Sequence, residues 1–416
     1  MERRWVMSRI RKDTKGKVLH KGEDYKKDKK LYRYSYTDSL GKRRCIYAKN
    51  LEELRNKEKQ LQRDQLDGLD IYVQGNADVN YAFHRYIATK TELRSSTKTN
   101  YLYIYDRYVK DGFGKKKLSE VRYSDVLLFY NALLGKGLSI GTVDSVNAVL
   151  RPTFQLAVRD NVIRNNPADG AMTEVKKKWD GNVGIRHALT IEEERAFLES
   201  LELKKNLSWK PLFIVMFGTG CRISEIIGLR WDDVDFEKGI ITIDHDVTYY
   251  PRSDKNYRCE YELALPKTEA GIRKIPMLKK VKDALELEKQ NQREYGYHCL
   301  VELGGMKNFI FCNRFGGLQN PASVNKVIKR IVSDHNSKEI VDAKREGREP
   351  VIIPNFSCHI TRHTFCTRLC ENGTNAKVIQ SVMGHKDIQT TLGIYAEVSE
   401  NKKKDIFEQL NNQDVI

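Results

Sequence analysis

The sequence predicts a multidomain α+β protein in three parts: a small N-terminal three-stranded sheet plus helix, a helical (four-helix) domain, and a mostly α C-terminal domain with a small antiparallel sheet. Three observations lead there. At 416 residues the chain exceeds one ordinary domain of ~150 residues. Its apolar residues alternate with a period of two near the N-terminus, then follow helical spacing from Val79 to Val158. Beyond Thr190 helical and β-branched stretches mix, and roughly 230 residues can bury a core of their own. Gly68 to Asn76 and Val175 to Gly184 read as linkers, giving expected divisions at 1–75, 76–174, 175–184 and 185–416.

Composition narrows the function classes. With 40% hydrophobic and 31% charged residues the chain is globular rather than disordered. A formal charge of +17 and a pI of 9.3 point to a polyanionic partner: nucleic acid, or less often an anionic membrane face. The longest apolar run, Leu212 to Phe217, falls far short of the ~18 residues of a membrane span. Met1-Glu2-Arg3-Arg4 leads into further charge, so no signal peptide is expected. Eight scattered cysteines without a C-x-x-C pair read as reduced thiols of a cytosolic protein.

Residues 1–44 carry 16 Lys+Arg against 6 Asp+Glu. Within them Tyr32, Tyr34 and Tyr36 alternate with Arg33 and Ser35, a strand signature. Asp38-Ser39-Leu40-Gly41 supplies a turn, and Lys42 to Lys49, with Arg43 and Arg44, reads as the return strand. A helix follows to Gln65, capped by Asn50, with Leu51, Leu54 and Leu61 on one face. A small sheet backed by one helix, with Arg33, Arg43 and Arg44 on its free face, fits a β-ribbon laid in a DNA groove. A solubilising basic surface fits the same residues.

The second part reads as four helices. Val79 to Thr89 carries Tyr81, Ala82, Phe83, Tyr86 and Ile87 in amphipathic spacing. Ser95 opens the next, with Arg94 and Lys98 outside its apolar stripe as candidate DNA contacts. Ser124 or Asp125 opens the third, and Ser139 the fourth, through Val143, Val146 and Val149. Pro152 is expected to kink or break this last helix, before Asn165-Asn166-Pro167 and Gly170 stop it.

The third part starts with the capping box Thr190-Ile191-Glu192-Glu193. Pro211 to Phe217 is an apolar helix ending at Gly218-Thr219-Gly220, and Cys221-Arg222-Ile223-Ser224-Glu225 begins another. Arg222 at a helix start, with Glu225 one turn on, suits an anion-binding cleft. A surface Arg–Glu pair fits this fragment equally. Gly239 to Asp246 is strand-like; Tyr261 to Leu265 and Ile272 to Pro276 then read as the arms of a hairpin with Lys267 at its tip. Leu278 to Glu294 and a segment capped by Asn320 are helical, and the charged stretch Asn336 to Val351 reads as a mobile loop. Near the end, His359 and Arg362 share a helical face, His385 follows Gly384, and Tyr395 lies ten residues further on, after a short movable segment, Thr390 to Ile394.

Other chemistries find no support. Cys358, His359, Cys366 and Cys370 lack zinc-ligand spacing, and Cys366 and Cys370 fall in an apolar stripe, so buried thiols are expected. The acidic group Asp232, Asp233 and Asp235 follows a helix, where solvent exposure is expected, and offers no two-metal nuclease pattern. The sequence contains no G-x-x-x-x-G-K-[ST] phosphate loop.

Taken together, Arg222, Lys267, His359, Arg362, His385 and Tyr395, in this order, resemble the active site of tyrosine recombinases. The strings Gly218 to Glu225, His359-Ile360-Thr361-Arg362-His363 and Met383-Gly384-His385 to Tyr395 match that family's boxes. The basic N-terminal sheet, the helical middle part and Pro266-Lys267-Thr268 before a basic return strand are similar to integrases of Gram-positive conjugative transposons. Cys221 departs from the family, which often has a larger apolar residue at this packing position.

The resemblance implies a site-specific recombinase that cuts and rejoins DNA through a 3′-phosphotyrosyl intermediate, for integration and excision of a mobile element. It implies an arm-type DNA-binding domain, a core-binding domain and a catalytic domain, in that order. Tyr395 is the implied nucleophile and Arg222 and Arg362 the phosphate clamp. His359, Lys267 and His385 would handle protons and the phosphate, and Glu225 would orient Arg222. Because the phosphotyrosyl bond conserves the phosphodiester energy, neither ATP nor a metal cofactor is expected. Implied partners are double-stranded DNA at the element ends and target, three further copies forming a homo-tetramer, and DNA-bending or excisionase proteins; the implied location is the bacterial cytoplasm, on the nucleoid. Lys402 to Leu410, with Ile406, Phe407 and Leu410, would dock on a neighbouring subunit. A type IB topoisomerase shares the chemistry, and a non-catalytic DNA-binding regulator shares the charge.

Overall fold

The structure, a computed structural model, describes residues 11–37, 43–66, 77–179, 187–252, 257–266, 271–394 and 396. The turn at Asp38 to Gly41, the first linker, Lys267, Tyr395 and Lys402 to Leu410 fall outside these residues. The chain divides into two compact units, Met1–Gly181 and Asn182–Ile416. No helix among the described residues is long and apolar enough to cross a membrane.

In the first unit, β1 (Glu23–Lys26), β2 (Leu31–Thr37) and β3 (Arg43–Ala48) form an antiparallel sheet in that order, followed by α1 (Leu51–Leu66). The Asn50 side chain accepts the Glu53 amide at 2.8 Å, the expected cap. Tyr32, Ala48, Leu51 and Leu54 are buried together, so the even-numbered side of β2 faces α1. Glu23 is buried on this side, where Arg55 Nε (3.0 Å) and the His20 amide (2.7 Å) satisfy its carboxylate. Register corrects one expectation: Tyr36 pairs with Arg44 and Thr37 with Arg43. Adjacent strand residues point to opposite faces, so Arg43 shares the free face with Arg33 while Arg44 lies on the α1 side.

A separate core belongs to α2 (Val79–Ala88), α3 (Ser95–Tyr108), α4 (Tyr123–Gly135), α5 (Ile140–Arg159) and α6 (Ala171–Lys178). Asp78 and Ser139 cap α2 and α5 through the amides of Tyr81 and Thr142. Arg94 and Lys98 are exposed at the start of α3. Two expectations change here. Of the expected kink or break at Pro152 the break does not occur, since α5 continues to Arg159; Val149, Leu150 and Phe154 around it are fully buried, and this packing offsets a cost of roughly 3 kcal/mol for an interior proline. The linker also begins later than Val175, which is buried in the bundle on α6; Lys176 to Lys178 sit on the last turn, where cations meet unpaired carbonyls.

The second unit contains α7 (Ile191–Ser200), α8 (Lys210–Thr219), α9 (Ile223–Gly228), β4 (Val234–Asp235), β5 (Ile240–Ile243), β6 (Asp246–Arg252), β7 (Arg258–Ala264), β8 (Arg273–Pro276), α10 (Lys279–Tyr295), α11 (Pro321–Glu346), α12 (Cys358–Glu371) and α13 (Ala376–Met383), with residues 388–394 also helical. α8 is the central helix: Phe213, Val215 and Met216 are fully buried, and it packs against α10 and α12. The Thr190 capping box forms as expected.

The expected hairpin does not form. β7 pairs with β6, placing Tyr261 against Tyr249, while β8 joins β4 and β5 in a second sheet, Ile275 against Ile241 and Arg273 against Ile243. The inward residues of β8, Arg273 and Ile275, match the buried side of β5, which decides the pairing. Nor is the stretch after Asn336 a loop. α11 continues to Glu346 because no Gly or Pro intervenes before Gly347, and its Lys, Glu, Ala and Arg are good helix formers. Ala343 is buried, and the Asn336 side chain exchanges two hydrogen bonds with the Ile353 backbone, at 2.8 and 2.9 Å.

Candidate active site

The site begins where α8 ends. Gly220 closes this helix at φ 62°, and a Cβ there would lie 2.4 Å from the Phe365 ring, so any side chain would strain the turn and displace Phe365. The turn delivers Arg222 to the N-cap of α9. Its backbone N–H donates to Glu225 Oε2 at 2.7 Å and its Nη1 to Glu225 Oε1 at 2.8 Å. Glu225 thus caps the helix and aims the guanidinium, as the i, i+3 spacing suggests.

α12 supplies His359, exposed, and Arg362, only 4% exposed. α13 ends at Gly384, in the left-handed conformation at φ 63°. The last carbonyls of a helix have no partner within it and carry its negative dipole end. Here guanidinium groups take three in succession: Arg273 Nε donates to Val382 O (2.7 Å), Arg362 Nη2 to Met383 O (2.5 Å) and Arg222 Nη2 to Gly384 O (3.3 Å). Arg362 Nη1 also donates to Gly220 O at 2.9 Å, which ties the ends of α8 and α13 together. Charge assistance at carbonyls is what makes a guanidinium this buried tolerable.

His385 follows immediately. Its Nδ1 is 2.9 Å from Oγ1 of Thr391, leaving Nε2 for a ligand. Burial, then the charges of Arg362, Arg222 and Arg273, pull His385 down to about 4, so it is neutral near pH 7. Burial and Arg222 likewise lower Arg362, to about 10, which leaves it charged. Burial opposes the charge on Glu225, but hydrogen bonds and charge from Arg273, then Arg222, outweigh it and hold the carboxyl at about 2. Arg222, His359, Arg362, His363, His385 and Ile394 line one open cavity of about 460 Å³. Two arginines and three imidazoles around a cavity this size can bind a tetrahedral anion and exchange a proton with it.

Of the expected residues, the structure brings Arg222, Glu225, His359, Arg362 and His385 together; it does not describe Lys267 or Tyr395. Two participants escape sequence reasoning. Arg273 had a signal, a charge two residues from Ile275 on the inward side of a short strand. Thr391 had none. Cys221 is buried at 1% exposure, with Arg273 Nη2 3.7 Å from its sulfur, consistent with a packing position. Cys366 and Cys370 pack with Ile379 and Met383 as buried thiols.

Among the described residues one group could hold a metal ion: Asp233, Asp244 and His245. Its ligand atoms are engaged, however. His245 Nδ1 meets Asp244 Oδ1 at 2.5 Å and Nε2 meets Gly228 O at 2.7 Å, while Asp233 pairs with Arg230 at 2.7 Å. Asp233 is also buried, not exposed as expected, because Arg230 neutralises it.

Residues 187–402, just over half of the chain, match the model of the phage integrase family, and residues 7–65 match that of the DNA-binding domain of Tn916 integrase. The chain is 28% identical to the transposase from transposon Tn916 of Enterococcus faecalis, over 98% of both chains. It is 26% identical to a XerC-like tyrosine recombinase of Caldanaerobacter subterraneus, over 93% of this chain and 97% of that one. Among solved structures, a fragment of the Tn1549 transposon integrase in complex with transposon right-end DNA superposes with a TM-score of 0.68 at 27% identity, covering 80% of this chain and 100% of that one. The same integrase in complex with a circular intermediate DNA gives 0.68 at 26%, covering 79% and 99%.

Proposed function

Because the chain belongs to the phage integrase family, whose members break and rejoin DNA strands, we propose that its arginine–histidine cavity holds the scissile phosphate and that Tyr395 attacks it. The chain is a tyrosine recombinase of the conjugative-transposon integrase type. The observation that carries the assignment of roles is that Ile394, next in sequence to Tyr395, lines the same cavity as Arg222, His359, Arg362 and His385.

A phenol of pKa ~10 is a poor nucleophile until its proton has an acceptor and the phosphate charge is screened. Arg222 and Arg362 would bind the two non-bridging oxygens, for which a planar two-pronged donor is suited. The Tyr395 oxygen attacks phosphorus as its proton passes to His359. The bond from phosphorus to the 5′ oxygen breaks, and Lys267 protonates that oxygen. His385, neutral, donates a hydrogen bond to the phosphate through Nε2. Attack by the 5′ hydroxyl of a new strand reverses the sequence and frees Tyr395. Glu225 acts at one remove, by aiming Arg222.

DNA is the substrate, as it is the ligand in the Tn1549 integrase structures. We assign residues 1–75 to arm-type binding, the helical bundle from residue 76 through α6 to core binding, and 185–416 to catalysis. The match of residues 7–65 to the Tn916 integrase DNA-binding model supports the first. Recombination of two duplexes requires four active sites, hence a homo-tetramer, with accessory proteins bending the DNA in the bacterial cytoplasm. Incubating the protein with a plasmid carrying both element ends, with EDTA and without nucleotide, should yield joined-end circles. Relaxed plasmid without joined ends would indicate a type IB topoisomerase instead.

A further inference from the structure

Arg273 lies on β8, outside the strings that match the recombinase boxes, and its side chain is 3% exposed. It grips Glu225 with both prongs of its guanidinium, Nη1 to Oε1 at 3.0 Å and Nη2 to Oε2 at 2.8 Å. Glu225 therefore binds two arginines: Arg222 shares its Oε1, and the Arg222 backbone N–H its Oε2. The remaining nitrogen of Arg273, Nε, holds Val382 O, two residues ahead of the Gly384 carbonyl that Arg222 takes.

This is more than a pair that stabilises the core. A buried ion pair seldom adds net stability over an apolar pair of equal volume, because both charges lose their hydration. What a fork-to-fork pair does supply is a fixed orientation. With Arg273 in place, the Glu225 carboxylate has one plane and one position, and Arg222 is aimed from it. Without Arg273 the carboxylate can rotate, and Arg222, 39% exposed, can follow it toward solvent.

We propose that Arg273 is a positioning residue for strand cleavage: it fixes Glu225, and through it the aim of Arg222, and ties that pair to the helix end that presents His385. The inference rests on the reading of the cavity as the scissile-phosphate site. Arg273 does not touch the phosphate, since its three nitrogens are already committed inside the protein.

The test is single-turnover formation of the covalent complex on a nicked suicide duplex, at saturating DNA, with affinity measured separately. Arg273→Lys keeps the charge and loses the fork. It should slow cleavage about 10- to 100-fold, the range for a misaimed catalytic group, with DNA affinity changed less than about twofold. In an Arg222→Lys background the same change should add less than about twofold, because no guanidinium is left to aim. A purely structural Arg273 would give the same factor in both backgrounds and overturn the proposal, as would cleavage at the wild-type rate. Should Arg273→Lys not fold, the double variant Arg273→Gln with Glu225→Gln replaces the ion pair by an amide pair; folded and fully active, it overturns the proposal too. If the wild-type protein forms no adduct on this duplex while binding it, the reading of the cavity fails and the inference falls with it.

Discussion

His385 Nδ1 lies 2.9 Å from the Thr391 hydroxyl, which is completely buried. Thr391 belongs to the helical residues 388–394 that run up to Tyr395, so one hydrogen bond joins the cavity-lining His385 to the segment that carries the proposed nucleophile. Thr391→Val keeps the shape and deletes the hydroxyl. Leaving a buried ring nitrogen without its partner should cost ~1–3 kcal/mol in stability and, by loosening the ring, slow covalent-complex formation about tenfold or more. Thr391→Ser should retain most of both. Melting temperature and suicide-substrate kinetics read the two effects.

His385 is held neutral by burial and by Arg362, Arg222 and Arg273, with a value of about 4 against the ordinary 6.5. The unfolded chain therefore takes up this proton first as pH falls. The contribution of His385 to stability is unaffected above pH 6.5 and turns unfavourable between 6.5 and about 4. A nitrogen-detected NMR titration should find the His385 ring still neutral at pH 6. A midpoint near 6.5 would contradict the arginine cage.

Glu225 has the opposite sign. Its folded value of about 2 lies below the ordinary 4.5, so it stabilises the fold above pH 4.5 and loses that effect as pH falls toward 2. The whole shift is worth on the order of 3 kcal/mol at ~1.4 kcal/mol per unit. In urea unfolding, Glu225→Gln should be destabilised by about this much at pH 7, and the gap to wild type should narrow as pH drops below 4.5. A gap that stays constant with pH would mean Glu225 contributes packing alone.

Strand register separates the N-terminal arginines. Arg43 is exposed on the free face, Arg33 lies on the same face but pairs with Asp24 at 2.8 Å, and Arg44 lies on the α1 side. If the free face meets DNA, Arg43→Ala should weaken binding and lower the salt dependence by about one phosphate contact, Arg33→Ala less, and Arg44→Ala least. Fluorescence anisotropy over a salt series measures all three. Equal losses would place the contact elsewhere.

The legible parts of this molecule were those set by local chemistry. Asn50, Ser139 and Thr190 announce their helices because a side-chain oxygen is needed at that point in the chain. Glycines 220 and 384 announce the turns that deliver Arg222 and His385. What the sequence did not show depends on distant partners. Whether β8 pairs with β7 or β5 is settled by which neighbour buries Ile275 and Arg273, and these lie more than 30 residues from Ile241. The stretch after Asn336 looked like a charged loop because its stabilising contact, the Ile353 backbone, comes later in the chain. Arg273 escapes for the same reason: a strand arginine acquires meaning only when a carboxylate from a helix distant in sequence meets it.

The central assignment is that the cavity of Arg222, His359, Arg362 and His385 serves attack by Tyr395. The most direct test compares wild type with Tyr395→Phe on a nicked duplex that cannot be religated. Wild type should accumulate a protein–DNA adduct, and peptide mapping should place the phosphate on Tyr395. Tyr395→Phe should bind the duplex with unchanged affinity and form none. An adduct from Tyr395→Phe would contradict the assignment of the nucleophile.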